Sequence, residues 1–181
     1  MTKRWIVTAL GKDRPGIVAG VTRILYQLGC NLEDSAMTRL EGEFAIMLIF
    51  SSTARATEER LRKAFGPLES RLKLVVHLKP LTRSETGPPR RRGKPYLISV
   101  YGADRPGIVF QMSEALAQDG VNITDVHTHR SARGGPSLYL LLLEVEIPAA
   151  RSVSLLEARL KRVAGRLGVE VSLRPSEPDV L

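Results

Sequence analysis

Apolar residues recur along this chain with two different periods, and the switches between them outline its elements. Residues 4–10 (RWIVTAL) are β-rich and apolar on both faces, the pattern of a central strand. Ile17, Val18, Val21, Ile24, Leu25 and Leu28 then fall at helical spacing, and Gly29 is suited to end that helix. NLEDSAMTRL (31–40) and EFAIMLIF (43–50) flank an EGE turn as a hairpin. Leu61, Ala64, Phe65, Leu68 and Leu72 mark a second helix, and LKLVVHL (72–78) closes the set as a strand. The order βαββαβ is that of a ferredoxin-like unit: α+β in class, an antiparallel sheet with helices on one face, the first and third strands central. Gly66-Pro67 falls inside the second helix. A proline there costs about 3 kcal/mol, so a kink or two short helices are expected.

The whole pattern then repeats. GKDRPGIV (11–18) returns as GADRPGIV (102–109), 91 positions later. LGCNL (28–32) aligns with DGVNI (119–123) at the same offset. Leu61, Phe65, Leu68, Leu72 and Val76 align with Leu156, Leu160, Val163, Leu167 and Val171 at an offset of 95. Four residues therefore enter the second copy in between, and RSARGGPS (130–137), against the shorter RLEGE of the first copy, is the place for them. PYLISVY, a helix over 108–118, NITDVHTHR, SLYLLLLEVEI, a helix around 156–167 and VEVSL restore the order βαββαβ. Lys161-Arg162 stands where Gly66-Pro67 was, so this second helix should be straighter. The division is residues 1–80, a basic Pro/Gly-rich linker over 81–95, residues 96–175, and a tail over 176–181. FAIMLIF and LYLLLL are apolar on both faces, so the sheet face away from the helices also needs cover, from the other copy or a second chain.

Composition changes this picture only at the linker. A chain of 181 residues, 43% hydrophobic, suffices for two small domains of about 80 residues. Its formal charge of +8 invites a nucleic-acid partner. Half of that excess, however, is Arg83, Arg90, Arg91, Arg92 and Lys94 against Glu85, all within the linker. Aromatic residues are only 5%, and no basic–aromatic stacking platform stands out. No apolar run approaches the roughly 20 residues of a membrane span, and the N-terminus lacks a signal-peptide pattern. The single Cys30 forms no internal disulfide, which fits a reducing, cytoplasmic setting.

The repeated turn carries the most specific chemistry. Asp13 and Asp104 are candidate helix caps, and Pro15 and Pro106 suit a first helical turn. Gly16 and Gly107 leave the backbone open to close approach, and the free amides of a helix start accept an anion such as a carboxylate. The same features equally make a helix cap with no ligand. Asn31 and Asn122, each followed by an aspartate (Asp34, Asp125), offer donor and acceptor atoms that suit an amino acid's two ends, or simply turn the chain into a strand. His127 and His129 share a strand face, but nothing completes a metal site, and a polar strand face is the simpler reading. Cys30, opposite Val121 in the repeat, reads as a small buried hydrophobe. No G-x-S-x-G, P-loop or H-E-x-x-H is present, and no acid–base pair, catalytic residue or cofactor is assigned.

DRPG after a strand and before an amphipathic helix, then LGCNLED or DGVNITD, in a βαββαβ order, resembles the ACT domain. The resemblance covers nearly the whole chain, in two copies. A chain of two such units resembles the glycine cleavage system transcriptional repressor group. Formyltetrahydrofolate deformylase begins with a similar module, but its catalytic domain has no counterpart here. The resemblance implies a non-catalytic regulator that binds a small amino-acid effector, of the glycine or serine class, at interfaces between ACT units. It implies contacts from Asp13, Arg14, Gly16, Ile17 and Asn31, and from Asp104, Arg105, Gly107, Ile108 and Asn122. It also implies homo-oligomers and a protein partner, a transcriptional regulator or an enzyme, without a membrane. The PPRRR linker and the RSARGGPS hairpin are not part of the family pattern. The alternative is a nucleic-acid binder using the basic linker and surface, although AIMLIF and LYLLLL lack the exposed aromatics of RNA-binding ferredoxin-like sheets.

Overall fold

Trp5, Val7 and Ala9 alternate along the first strand and are all buried, which fixes one face of a sheet against the helices. The structure, a computed structural model, describes residues 3–52, 57–82, 93–131 and 137–176. The chain divides into two compact units, Met1–Pro88 and Pro89–Leu181. The first comprises β1 (Lys3–Lys12), α1 (Ile17–Gln27), β2 (Asn31–Leu40), β3 (Glu43–Ser52), α2 (Glu58–Leu72) and β4 (Val75–Leu81). The second comprises β5 (Lys94–Ala103), α3 (Ile108–Gln118), β6 (Asn122–Ser131), β7 (Leu138–Ile147), α4 (Val153–Leu167) and β8 (Val169–Pro175).

The expected architecture is present in each unit. The sheets are antiparallel, in the orders β2-β3-β1-β4 and β6-β7-β5-β8, so the first and third strands of each unit are central. In the first unit Phe44, Ile46, Leu48 and Phe50 join the β1 residues beneath Ile17, Val21 and Leu25 of α1 and Leu61, Phe65 and Leu68 of α2. In the second, Ile98, Val100, Leu141, Leu143 and Val145 meet Ile108, Met112, Leu116, Leu156, Leu160 and Val163. Each such side chain contributes about 1.5–3 kcal/mol when fully buried. The offset between copies is 91 at β6 and 95 at β7, which puts the four extra residues between those strands. Most of that insertion (132–136), the middle of the linker (83–92) and the tail from 177 lie outside the described residues. β4 and β5 reach into the two ends of the stretch read as linker, at Leu81 and at Lys94 and Pro95.

Two expectations need correcting. Of the two forms expected around Gly66-Pro67, a kink or two short helices, the second is not found: α2 is one uninterrupted helix with Pro67 at its tenth position. Pro67 and Lys63 are both exposed, so the Lys63 carbonyl that the proline leaves without a helical partner is close to water, while Phe65 and Leu68 hold the helix to the core. The last strand of the first unit starts at Val75, not Leu72, because α2 runs to Leu72 and Lys73 turns the chain with a left-handed φ of 55°. The outward face of the first sheet stays open at Leu10 (52% exposed), Met47 (48%) and Val75 (69%). Among the described residues no helix is long and apolar enough to cross a membrane.

Candidate functional site

The turn from β1 to α1 is built by two glycines that act differently. Gly11 lies where β1 passes β4: a Cβ there would sit 2.8 Å from Leu74 Cδ2 and 2.9 Å from the Lys73 carbonyl oxygen. Gly102 is pressed in the same way against Val169, at 2.8 Å from its Cγ1. Gly16 and Gly107 are the N-caps of α1 and α3, and both have φ 92° and ψ −1°, a conformation that L side chains rarely adopt. Nothing lies within 4 Å of where a Gly16 Cβ would be.

This geometry corrects the assignment of Asp13 and Asp104 as helix caps. A cap must immediately precede the first helical residue, and that place is taken by Gly16 and Gly107. Pro15 and Pro106 therefore precede the helix and do not lie in its first turn. The Asp13 amide donates to the Gly42 carbonyl (2.9 Å), and its carboxylate pairs with Arg39 Nη1 (3.3 Å). Asp104 repeats the arrangement, with its amide on the Ser137 carbonyl (2.9 Å) and its carboxylate 3.7 Å from Arg130 Nη1. The aspartates thus tie the turn to the β2–β3 or β6–β7 hairpin. Arg39 and Arg130 were missed in the sequence, although they stand at the repeat offset of 91.

With no side chain at the cap, the starts of α1 and α3 carry no side-chain cap hydrogen bond. The other two helices do. Thr57 Oγ1 accepts from the Arg60 amide (3.3 Å) and Ser152 Oγ from the Leu155 amide (3.4 Å). One fold therefore caps α2 and α4 with hydroxyls and leaves α1 and α3 with open amides and a partial positive charge.

The remaining candidates separate. Ile17 and Ile108 are buried in the cores, so only their backbones face the turn. Arg14 is exposed and makes no ion pair among the described residues. Arg105 is laid over Gly168, the left-handed cap of α4, where a Cβ would meet Nη1 at 3.3 Å. Asn31 and Asn122 are exposed at the starts of the edge strands β2 and β6. Asn31 pairs with Ser51, which pairs with Arg4 at the beginning of β1, whereas Lys12 at its end leads into the turn. Eight residues of strand, about 26 Å, thus separate Asn31 from the turn of its own unit. The second unit has the same geometry. Asp34 and Asp125 act locally, since each follows a β-bulge and accepts the next residue's amide at 2.8 Å.

His127 Nε2 lies 2.9 Å from Asp125 Oδ2 on an exposed strand. Cys30 is partly covered and packs against the first core, and its desolvation raises the thiol pKa above the usual value.

Comparison with known proteins agrees with this architecture. The ACT domain family profile matches residues 3–79 and again 94–174. A glycine cleavage system transcriptional repressor of Escherichia coli is 26% identical over 171 residues, covering 93% of this chain and 87% of its own length. A UPF0237 protein of Streptococcus mutans is 37% identical over 73 residues, covering 40% of this chain and 83% of its own. A crystal structure of an unknown protein from Galdieria sulphuraria superposes with a TM-score of 0.80 at 27% identity, over 98% of this chain and all (100%) of that one. The repeated turn, the βαββαβ order and the matched segments have one explanation: this chain belongs to the ACT domain family and carries the domain twice.

Proposed function

We propose that this chain is a non-catalytic regulatory protein that senses a small amino acid, of the glycine or serine class, at interfaces between ACT units. Its bound state would be passed to a transcriptional regulator or an enzyme through protein contacts. The observation that carries this reading is the pair of uncapped helix starts at Gly16 and Gly107, beside two helices of the same fold that are capped. An α-carboxylate is an anion sized to accept from such amides, and a glycine at the cap leaves the approach open. Arg14, exposed and unpaired among the described residues, supplies a counter-charge beside Gly16. The asparagine lies about 26 Å from the turn of its own unit, so a site that uses both takes the turn from one ACT unit and the β2 start from another. Ligand binding then favours one arrangement of units, which a partner reads. The transcriptional role is supported by the name of the Escherichia coli relative.

The test is a thermal-shift and calorimetric titration against the twenty amino acids. Glycine or serine raises the melting temperature of the native chain, and Gly16→Ala or Gly107→Ala weakens the effect by placing a Cβ over the amides. No stabilisation by any amino acid at millimolar concentration refutes the sensor reading.

A further inference from the structure

The helix layers of the two units differ, and in the first unit the difference runs from Gly16 at the start of α1 along the whole α1–α2 seam. Between α1 and α2 runs an open trough of about 470 Å³. Its floor is apolar: Gly20 on α1 leaves room for Leu68 of α2, whose Cδ1 a Gly20 Cβ would meet at 2.7 Å, and Ile24 and Ala64 complete it. Arg23 and Arg71 line its sides, one from each helix, and both are exposed. No carboxylate lines it, and neither arginine has an ion-pair partner among the described residues. Pro67, the residue that fits the helix least well, also forms part of the wall.

The matching place between α3 and α4 is occupied by the protein's own polar groups. Its volume is about 340 Å³, and Arg159 and Arg162 stand where the first unit has Ala64 and Pro67. Glu114 lines it in place of Arg23. Arg159 reaches across to Asp119 Oδ2 (3.4 Å) and Gln118 Oε1 (3.2 Å), so α3 and α4 are bridged by their own charges.

We propose that the α1–α2 trough is the docking surface for a protein partner, and that the partner presents an acidic segment with aliphatic side chains between its carboxylates. This deepens the proposed function, and it rests on that reading's premise that a protein partner reads the chain. Charge complementarity selects the occupant. Two unpaired arginines flanking an apolar floor match carboxylates flanking leucine-like side chains, the pattern of an amphipathic helix laid in a groove. A sugar–phosphate chain matches the arginines but leaves the apolar floor without a partner.

The experiment uses the full chain and a fluorescein-labelled helical probe of about twelve residues, with leucine at every third or fourth position and glutamate beside each. Fluorescence anisotropy should report saturable binding that weakens with added salt. Arg23→Glu with Arg71→Glu weakens it about tenfold or more. Ala64→Arg with Pro67→Arg, which imports the second unit's residues at a half-buried and an exposed helix position, weakens it to a similar degree. Trp5 fluorescence verifies that each first-unit variant is folded, helical circular dichroism does so for Arg162→Glu in the second unit, and that variant leaves probe binding unchanged. The proposal is overturned if the native chain does not bind the probe, if either double variant binds it as the native chain does, or if a probe with lysine for glutamate binds equally well. It is also overturned if single-stranded polynucleotide displaces the acidic probe and binds more tightly than it. The glycine and serine thermal shift, measured on the same samples, reports on sensing independently of probe binding.

Discussion

Replacing Pro67 with alanine should make the first unit more stable. Pro67 is the tenth of fifteen residues in α2, so it has no N–H for the Lys63 carbonyl one turn earlier. The intrinsic difference between proline and alanine in a helix interior is about 3 kcal/mol. Two effects offset part of this. Proline restricts the unfolded chain by about 0.4–1 kcal/mol, and its ring contributes apolar contact along the α1–α2 trough. The net gain is about 2 kcal/mol. For a unit of this size that corresponds to about 8–16 °C in melting temperature, or about 1 M in urea midpoint. The protein offers its own reporter. Trp5 is the single tryptophan, is buried in the first unit, and donates from Nε1 to Ser52 Oγ at 3.0 Å. Its fluorescence during urea titration follows that unit. An unchanged or lowered midpoint for Pro67→Ala would refute the reasoning, because it would mean that α2 gains more from the proline's contacts than it loses in hydrogen bonding. The mirror change, Arg162→Pro in α4, should destabilise the second unit, read by loss of helical circular dichroism at lower temperature.

Ser52→Ala removes the acceptor of the buried Trp5 N–H and should cost about 1–3 kcal/mol in the same urea assay. Lys73→Gly relieves a left-handed cap that the second unit fills with Gly168, and should add about 0.5–1 kcal/mol. Desolvation holds the Cys30 thiol neutral, so iodoacetamide should alkylate it more slowly in the folded chain than in urea at the same pH. Because this pKa is raised on folding, its contribution to stability is complete below the unfolded cysteine value and is lost as pH rises through the folded one.

The two units, their βαββαβ order, the central place of the first and third strands and the identity of the turn are all legible in the sequence alone. Each follows from local periodicity: Trp5, Val7 and Ala9 alternate, and Ile17, Val21 and Leu25 recur at helical spacing, whatever lies across from them. Repetition supplied a check, since a pattern written twice at a fixed offset is not chance. The fate of polar side chains was not legible, because a hydrogen-bond partner is chosen by register and distance. Asp13 reads as a helix cap until Arg39 arrives beside it from the end of β2. Asn31 follows α1 closely in sequence, yet α1 carries the chain from one end of the sheet to the other, away from the turn. Pro67 looks like a helix break until Phe65 and Leu68 bury themselves on either side of it. These outcomes belong to the folded chain because burial of the apolar face outweighs one missing hydrogen bond, and because strand pairing, not sequence proximity, sets which charges meet.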